Sequence, residues 1–200
     1  ISPNGVGGEN MYVRDNPPQI LDPTFKNIYE RHFLNFDSFT QQTKYTTIEE
    51  DGELLVISYD TFYSTVEPLV QWKKLKGIPT THLNLSDIGS TATDIENYID
   101  SYYASHNLTY VLLVGDIGQI PSPQQSGGAS DPAYAQILGS DSYPEIFIGR
   151  FSAQTIAQLE TQINRTLQYE RFPTTGVDWY ANGTGIASDD GYGTGDDNEW

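Results

Sequence analysis

Three carboxylates in two short stretches carry the chemistry this sequence offers. Tyr110-Val-Leu-Leu-Val-Gly-Asp116 is an apolar run long enough for one buried strand, and it ends on a carboxylate. Gly139-Ser-Asp-Ser-Tyr-Pro-Glu145 packs Asp141 and Glu145 into a turn that runs straight into the apolar Ile146-Phe-Ile-Gly-Arg-Phe151. Hard cations take several converging oxygens, and carboxylates in a turn can supply them together with backbone carbonyls. One reading is therefore a metal site; another is that Asp116, Asp141 and Glu145 are solvated loop acids. A third makes Asp116 the phosphoacceptor of a receiver-like domain. Against that stands Ser58-Tyr-Asp60, which offers a single acid after the first strand where a receiver needs a pair.

Composition narrows the partners. The 200 residues carry 10 Lys and Arg against 27 Asp and Glu, a formal net charge of −17. Such a surface repels phosphate backbones and anionic membranes, so nucleic acid and lipid are poor partners and cations, calcium in particular, are better ones. Solubility in a salty or extracellular setting accounts for the same acidity. The absence of cysteine removes disulfides, zinc-thiolate sites and an in-chain thiol nucleophile. No run approaches the roughly 20 apolar residues of a membrane span. Ile1-Ser-Pro-Asn-Gly5 has neither the basic nor the apolar part of a signal peptide, and Ile1 in place of Met reads as a processed or trimmed start. His32, His82 and His106 have no serine or acid beside them in a triad-like arrangement, so surface or packing roles are expected. Gly115-Asp-Ile-Gly118 lacks the spacing of a phosphate-cradling loop. The Asn-x-Ser/Thr sequons at Asn84, Asn107, Asn164 and Asn182 are glycan acceptors if the protein is a eukaryotic secreted one, but chance in a chain rich in Asn and Thr explains them better.

Positioning these groups falls to alternating strands and helices. Residues 1–44, with Pro17-Pro18 and Pro23, read as an extended or irregular appendage lying on another surface. From Tyr45 the pattern tightens. Leu54-Leu-Val-Ile57 is a buried strand, followed by a helix capped by Thr65, with Pro68 in its first turn and its end at Gly77. A short strand over Thr81–Leu85 precedes a helix opened by a Thr93-Asp-Ile-Glu96 capping box. Tyr110–Val114 is the third strand, residues 118–130 a loop and Glu145–Gly149 the fourth strand. Ser152 then opens a helix with Ile156, Leu159, Ile163 and Leu167 on one face. Gly185–Ser188 is a candidate fifth strand, and Tyr102, Tyr103, Phe147, Phe151 and Tyr169 are read as packing. Fully apolar strands alternating with helices predict an α/β fold, a doubly wound parallel sheet with helices on both faces. Ligands of such sheets gather beyond the carboxyl ends of the strands, where Asp116 and the Asp189-Asp190 pair are expected.

Leu108–Asp116, Gln136–Ser152, Thr161–Arg171 and Val70–Gly77 resemble the amino-terminal half of the gingipain family of cysteine peptidases, peptidase family C25, from about Tyr45 to Trp200. The resemblance implies a secreted, calcium-binding enzyme whose catalytic region pairs two parallel-sheet subdomains, the second caspase-like. The catalytic His and Cys belong to that second subdomain, beyond these residues. For calcium it implies Asp116, Asp141 and Glu145 as carboxylate ligands, with Leu138 and Tyr143 contributing carbonyls. It makes Asp196, Asp197 and Glu199 a candidate second metal site in the acidic loop that leads to the specificity pocket. The mature start of arginine-cutting members matches Tyr45-Thr-Thr47, which implies processing at Lys44-Tyr45. Residues 1–44 are then the end of an inhibitory propeptide, or an extension left uncleaved as in a zymogen. Gly139-Ser140 departs from the acidic start of this turn in lysine-cutting members, and residues 189–195 depart from the arginine-specific ones.

The expectation is thus an extension over 1–44 and, over 45–200, the amino-terminal α/β subdomain of a caspase-like peptidase, ending inside an acidic loop. Function is expected as the calcium-binding part of a secreted cysteine endopeptidase acting on proteins or peptides. Alone it should be inactive, awaiting a downstream segment or second chain that carries His and Cys. The alternative is a calcium-binding, non-catalytic interaction module of a secreted protein.

Overall fold

A computed structural model describes residues 20–21, 23–32, 48–49, 52–125, 127–139 and 142–184. Strand β1 (Ile20–Leu21) precedes helix α1 (Pro23–His32) and pairs in parallel with β2 (Ile48–Glu49). Then come β3 (Glu53–Ser58), α2 (Tyr63–Leu75), β4 (Thr80–Asn84), α3 (Ala92–Ser105) and β5 (Leu108–Val114). The small hairpin β6 (Gln124–Gln125) and β7 (Gly128–Ala129) interrupts the expected loop, and β8 (Phe147–Phe151) and α4 (Ile156–Arg171) follow.

Among the described residues the main sheet has four strands in the order β4-β3-β5-β8, every neighbouring pair parallel. The chain enters at β3, steps outward to β4, then crosses to β5 on the other side. That reversal places a topological switch point between the carboxyl ends of β3 and β5, the crevice where open α/β sheets bind ligands. Strand residues alternate between faces. Leu54, Val56 and Val114 therefore pack with Val66, Leu69 and Val70 of α2 and Leu159 and Ile163 of α4. Leu55, Ile57, Val111 and Leu113 pack on the opposite face with Ile95, Ile99 and Tyr102 of α3 and with Ile120, Tyr134 and Ile146. The expected doubly wound sheet, covered on both faces, is what forms.

Several local expectations shift. A 3-10 turn over Asp60–Phe62 leads into α2, which starts at Tyr63 with no side-chain cap, so Thr65 does not cap it and Pro68 lies inside the helix. An interior proline costs about 3 kcal/mol. Fully burying Val66, Leu69 and Val70 contributes about 1.5–3 kcal/mol each, so packing outweighs the break. The far end is as expected: Gly77 takes φ of 90°, with Gly77 N–H bonded to the Lys74 carbonyl and Ile78 N–H to that of Lys73, a Schellman stop that favours glycine. The capping box of α3 sits two residues earlier than expected. Thr91 Oγ1 accepts from Asp94 N, and Asp94 Oδ2 accepts from Thr91 N at 3.0 Å. The strand expected at 145–149 runs instead over 147–151. Helix α4 opens at Ile156 through a Thr155/Gln158 exchange of bonds, not at Ser152. Ile156, expected on its buried face, is 44% exposed.

The amino-terminal segment departs most. Pro23 opens a helix where an irregular stretch was expected, since proline suits the first helical position, whose N–H has no partner to lose. Phe25 of α1 stacks on Phe147 with ring centroids 4.7 Å apart, and the Thr24 hydroxyl meets that of Tyr110 at 2.8 Å. The described residues 168–184 belong to a separate compact unit. Within it Tyr169 lies 5.7 Å from the Trp179 ring and is 56% exposed, outside the core role expected of it. Lys44, Tyr45 and the candidate strand 185–188 fall outside the described residues.

Candidate functional site

At the carboxyl edge of the sheet, β5 ends at Val114 and Gly115 turns the chain with φ of 145°. A Cβ on Gly115 would stand 3.1 Å from Gln119 Cβ and 3.4 Å from Tyr59 Cβ, so glycine fits both the conformation and the close approach to the end of β3. Asp116 comes next. Its amide donates to the Ala153 carbonyl at 3.0 Å, and its own carbonyl accepts from Gln119 N and Ile120 N. The side chain receives Ser152 Oγ at 2.8 Å on Oδ1 and Gln154 Nε2 at 2.7 Å on Oδ2. The bond from Gln154, then those from Ser152 and the Ile117 amide, hold the carboxyl below its ordinary pKa, so it is charged at neutral pH. In the same turn Gln119 Oε1 is buried without a hydrogen-bond partner among the described residues.

Beneath this turn lies a group that the sequence reading missed. Arg150, the next-to-last residue of β8, forks onto Asp131 with Nε to Oδ2 and Nη2 to Oδ1, both 2.7 Å. Its Nη1 donates to the carbonyls of Gly115 at 2.8 Å and Ile120 at 2.9 Å, and Nη2 also reaches Ser122 Oγ at 3.0 Å. All five N–H donors of the guanidinium are thereby used. Arg150, with Ser122 and against the cost of burial, holds the Asp131 carboxyl below its usual range. The signal available in the sequence was a single arginine inside Phe147-Ile-Gly-Arg-Phe151: a charge in an apolar strand needs a partner.

The other predicted ligands sit elsewhere. Glu145 precedes β8 at the amino edge of the sheet; its amide donates to the Ala135 carbonyl at 2.8 Å. Its Oε2 accepts from Ile137 N at 2.7 Å and Leu138 N at 3.1 Å, tying Ile137 and Leu138 to the residue that precedes β8. Tyr143 stands 64% exposed. Because Tyr110 pairs with Phe147 and Val114 with Phe151, the length of β8 separates Glu145 from Asp116. Four residue steps at about 3.3 Å are about 13 Å before the flanking residues are counted, whereas oxygens sharing one calcium stand about 5 Å apart at most. Asp116 and Glu145 therefore stand at opposite edges of the sheet, too far apart for their carboxylates to meet on one ion. Among the described residues, no three His, Cys, Asp or Glu side chains converge on a metal position. Asp141, Asp196, Asp197 and Glu199 lie outside those residues.

The histidines require a correction. His82 Nε2 lies 2.8 Å from Ser58 Oγ, its Nδ1 lies 3.4 Å from Glu67 Oε2, and Tyr63 stacks on its ring at 3.9 Å. The arrangement is triad-like, but with access inverted: Ser58 is wholly buried and the Glu67 side chain is 42% exposed. A serine with no exposed surface meets no substrate, so the trio is a packing relay between sheet and α2. His32 bonds the Ile28 carbonyl and His106 stacks on Tyr102, the surface and packing roles expected of them.

Residues 47–200 match peptidase family C25. Gingipain R2 of Porphyromonas gingivalis is 39% identical over 181 residues, which is 88% of this chain and 24% of that protein. Lys-gingipain of the same organism is 26% identical over 182 residues, 86% of this chain and 10% of that one. The chain spans about a quarter of the length of the first of these relatives. Among solved structures, the Arg-specific cysteine proteinase gingipain R superposes with a TM-score of 0.62 at 41% identity, over 64% of this chain and 31% of that chain. A complex of the pro- and mature domains of RgpB from Porphyromonas gingivalis gives the same TM-score at 42% identity. With a family match over residues 47–200, on a parallel sheet that superposes on gingipain R, the chain belongs to peptidase family C25.

Proposed function

We propose that this chain is the amino-terminal, calcium-binding part of a secreted cysteine endopeptidase, inactive until completed by a downstream segment or second chain carrying His and Cys. The observation that carries the reading is a C25 match over residues 47–200 in a chain with no cysteine. The missing chemistry is a thiolate nucleophile, an imidazole and an oxyanion hole. The buried Ser58–His82–Glu67 relay cannot stand in for it. What this chain contributes is a rigid parallel sheet whose carboxyl edge offers a surface against which the catalytic half can be built. Residues 1–44 are read as a pro-segment with Lys44-Tyr45 as the processing site; the solved complex of RgpB pro- and mature domains supports a separate pro-domain as a partner in this family.

Calcium fits the donors in two places. At the amino edge, the Leu138 and Tyr143 carbonyls with Asp141 and Glu145 would hold one ion, since Glu145 Oε2 already ties Ile137 and Leu138 to the residue that precedes β8. At the carboxyl edge, Asp116 would belong to a different ion. Asp196, Asp197 and Glu199 are a further candidate group. Bound calcium would supply cross-linking of the loops, and its all-oxygen, carboxylate-plus-carbonyl donors are the kind it selects. The test is to join this chain to its downstream segment. Cleavage of peptides that depends on a thiol and is abolished by a calcium chelator is expected; a complete protein that cleaves nothing in a broad peptide library, calcium supplied, overturns the reading.

A further inference from the structure

We infer that Arg150 is the positioning residue for Asp116. Nη1 of Arg150 bonds the carbonyls of Gly115 and Ile120, the residues that bracket the turn in which the Asp116 carbonyl receives Gln119 N and Ile120 N. One guanidinium therefore grips both ends of the turn that presents Asp116. It is itself fixed from the other side by the fork onto Asp131, which also takes a hydrogen bond from Ser122. Ser122, two residues past the turn, is tied to the same group.

The arrangement does something a plain salt bridge does not. Backbone carbonyls that end a strand and a turn are the oxygens a loop offers to a cation or to an incoming chain. Arg150 occupies those of Gly115 and Ile120, leaving the Asp116 side chain as the outward-facing charge of the turn. Asp116 meets Ser152 and Gln154 in the segment that continues Arg150's own strand. Both sides of the Asp116 contact thus hang from β8, and their alignment is set by a residue that does not touch the carboxylate. Lysine at 150 would keep the charge and lose the planar fork, so geometry and charge can be tested apart.

The consequence for calcium rests on the function proposed above; the positioning itself does not. The experiment uses the full-length protein with Arg150→Lys, and with Asp131→Asn as a second variant that leaves Arg150 in place. Hydrogen exchange of the amides of residues 116–120 is expected to rise by about tenfold or more in both variants, while α2 and α3 keep their protection. Unchanged exchange at 116–120 overturns the proposal. So does a uniform rise over the whole sheet, because that marks a merely stabilising pair. Calcium titration supplies the second readout. Arg150→Lys is expected to weaken one class of site by about tenfold, the usual cost of losing a supporting residue. Adding Asp116→Asn in that background should cost far less than in the wild type, because the two changes remove one arrangement; fully additive losses would overturn the link to Asp116. Absence of any calcium binding by the wild type would remove the calcium reading alone, and exchange would then decide the positioning.

Discussion

The two ends of β8 hold similar carboxylates in opposite roles. At the carboxyl edge Asp116 is served by its surroundings: Ser152 and Gln154 donate to it, and Arg150 fixes the turn from which it projects. At the amino edge Glu145 serves its surroundings, spending Oε2 on the amides of Ile137 and Leu138 to tie them to the start of β8. One carboxylate is an output of the local structure and the other a cause of it. Residue type alone does not distinguish these roles. The distinction predicts that substitutions at the two edges fail differently.

The largest effect is expected beneath the carboxyl edge. Asp131→Ala leaves the Arg150 guanidinium, whose side chain is 12% exposed, without its bidentate partner. Removing one member of a buried pair costs about 3 kcal/mol, so the urea midpoint should fall with the slope unchanged. A loss below about 1 kcal/mol would mean that the pair behaves as a surface bridge and that the carboxyl edge is no more built than the amino one. At the amino edge, Glu145→Ala strips two amides of an acceptor, with an expected cost of about 2 kcal/mol. Hydrogen exchange should rise first at Ile137 and Leu138. Glu145→Gln, which can still accept both bonds, should recover most of that loss.

Acid offers a further way to separate the regions. His82 reaches Ser58 at the carboxyl end of β3, and burial, opposed by Glu67, pushes its pKa below the ordinary value. The fold therefore favours neutral imidazole. Below about pH 6.5, the ordinary histidine pKa, the unfolded chain takes up the proton more readily than the folded one, and stability falls as pH falls toward the folded pKa. Urea midpoints should drop between pH 7.5 and 5.5, and His82→Gln should flatten that slope. Asp116 and Asp131 have folded pKa values below their ordinary ones, so their contributions are present above about pH 3.9 and disappear only as pH falls further. A slope that survives His82→Gln would place the acid-sensitive group elsewhere.

How much of this was legible in the sequence follows from the range of each signal. Strand existence and the parallel sheet came from runs such as Leu54–Ile57 and Tyr110–Val114, where burial on both faces demands continuous apolar residues. Gly77 announced the end of α2 because its left-handed turn is a local requirement. What escaped was decided by contacts distant in sequence. Pro68 looked like a first-turn residue until the burial of Val66, Leu69 and Val70 extended the helix around it. Pro23 looked like a breaker, yet it opens α1, whose Phe25 finds a partner in Phe147. Arg150 and Asp131 are 19 residues apart, and Ser58 and His82 are 24 apart. No local pattern joins either pair. Asp116 and Glu145 were grouped because each flanks an apolar run; one follows its run and the other precedes it, and the parallel register of β5 with β8 puts them at opposite ends.

The smallest effect on the metal-free protein is expected at Asp116, which is also where the comparison between edges can be broken. Asp116→Asn keeps an oxygen for Ser152 or Gln154 and removes a partly exposed charge, so metal-free unfolding should be nearly unchanged. Calcium is what should reveal it. A ligand that binds only the folded state raises stability in proportion to the logarithm of its concentration over Kd, and independent sites contribute separately. Asp116→Asn and Glu145→Gln should each remove part of the calcium-induced rise in Tm, and the double variant should lose the sum of the two. If the double variant loses no more than either single one, the edges share one binding event. The separation of about 13 Å along β8 would then have to be bridged by coupling through the strand, a far stronger mechanical role for β8 than its register implies.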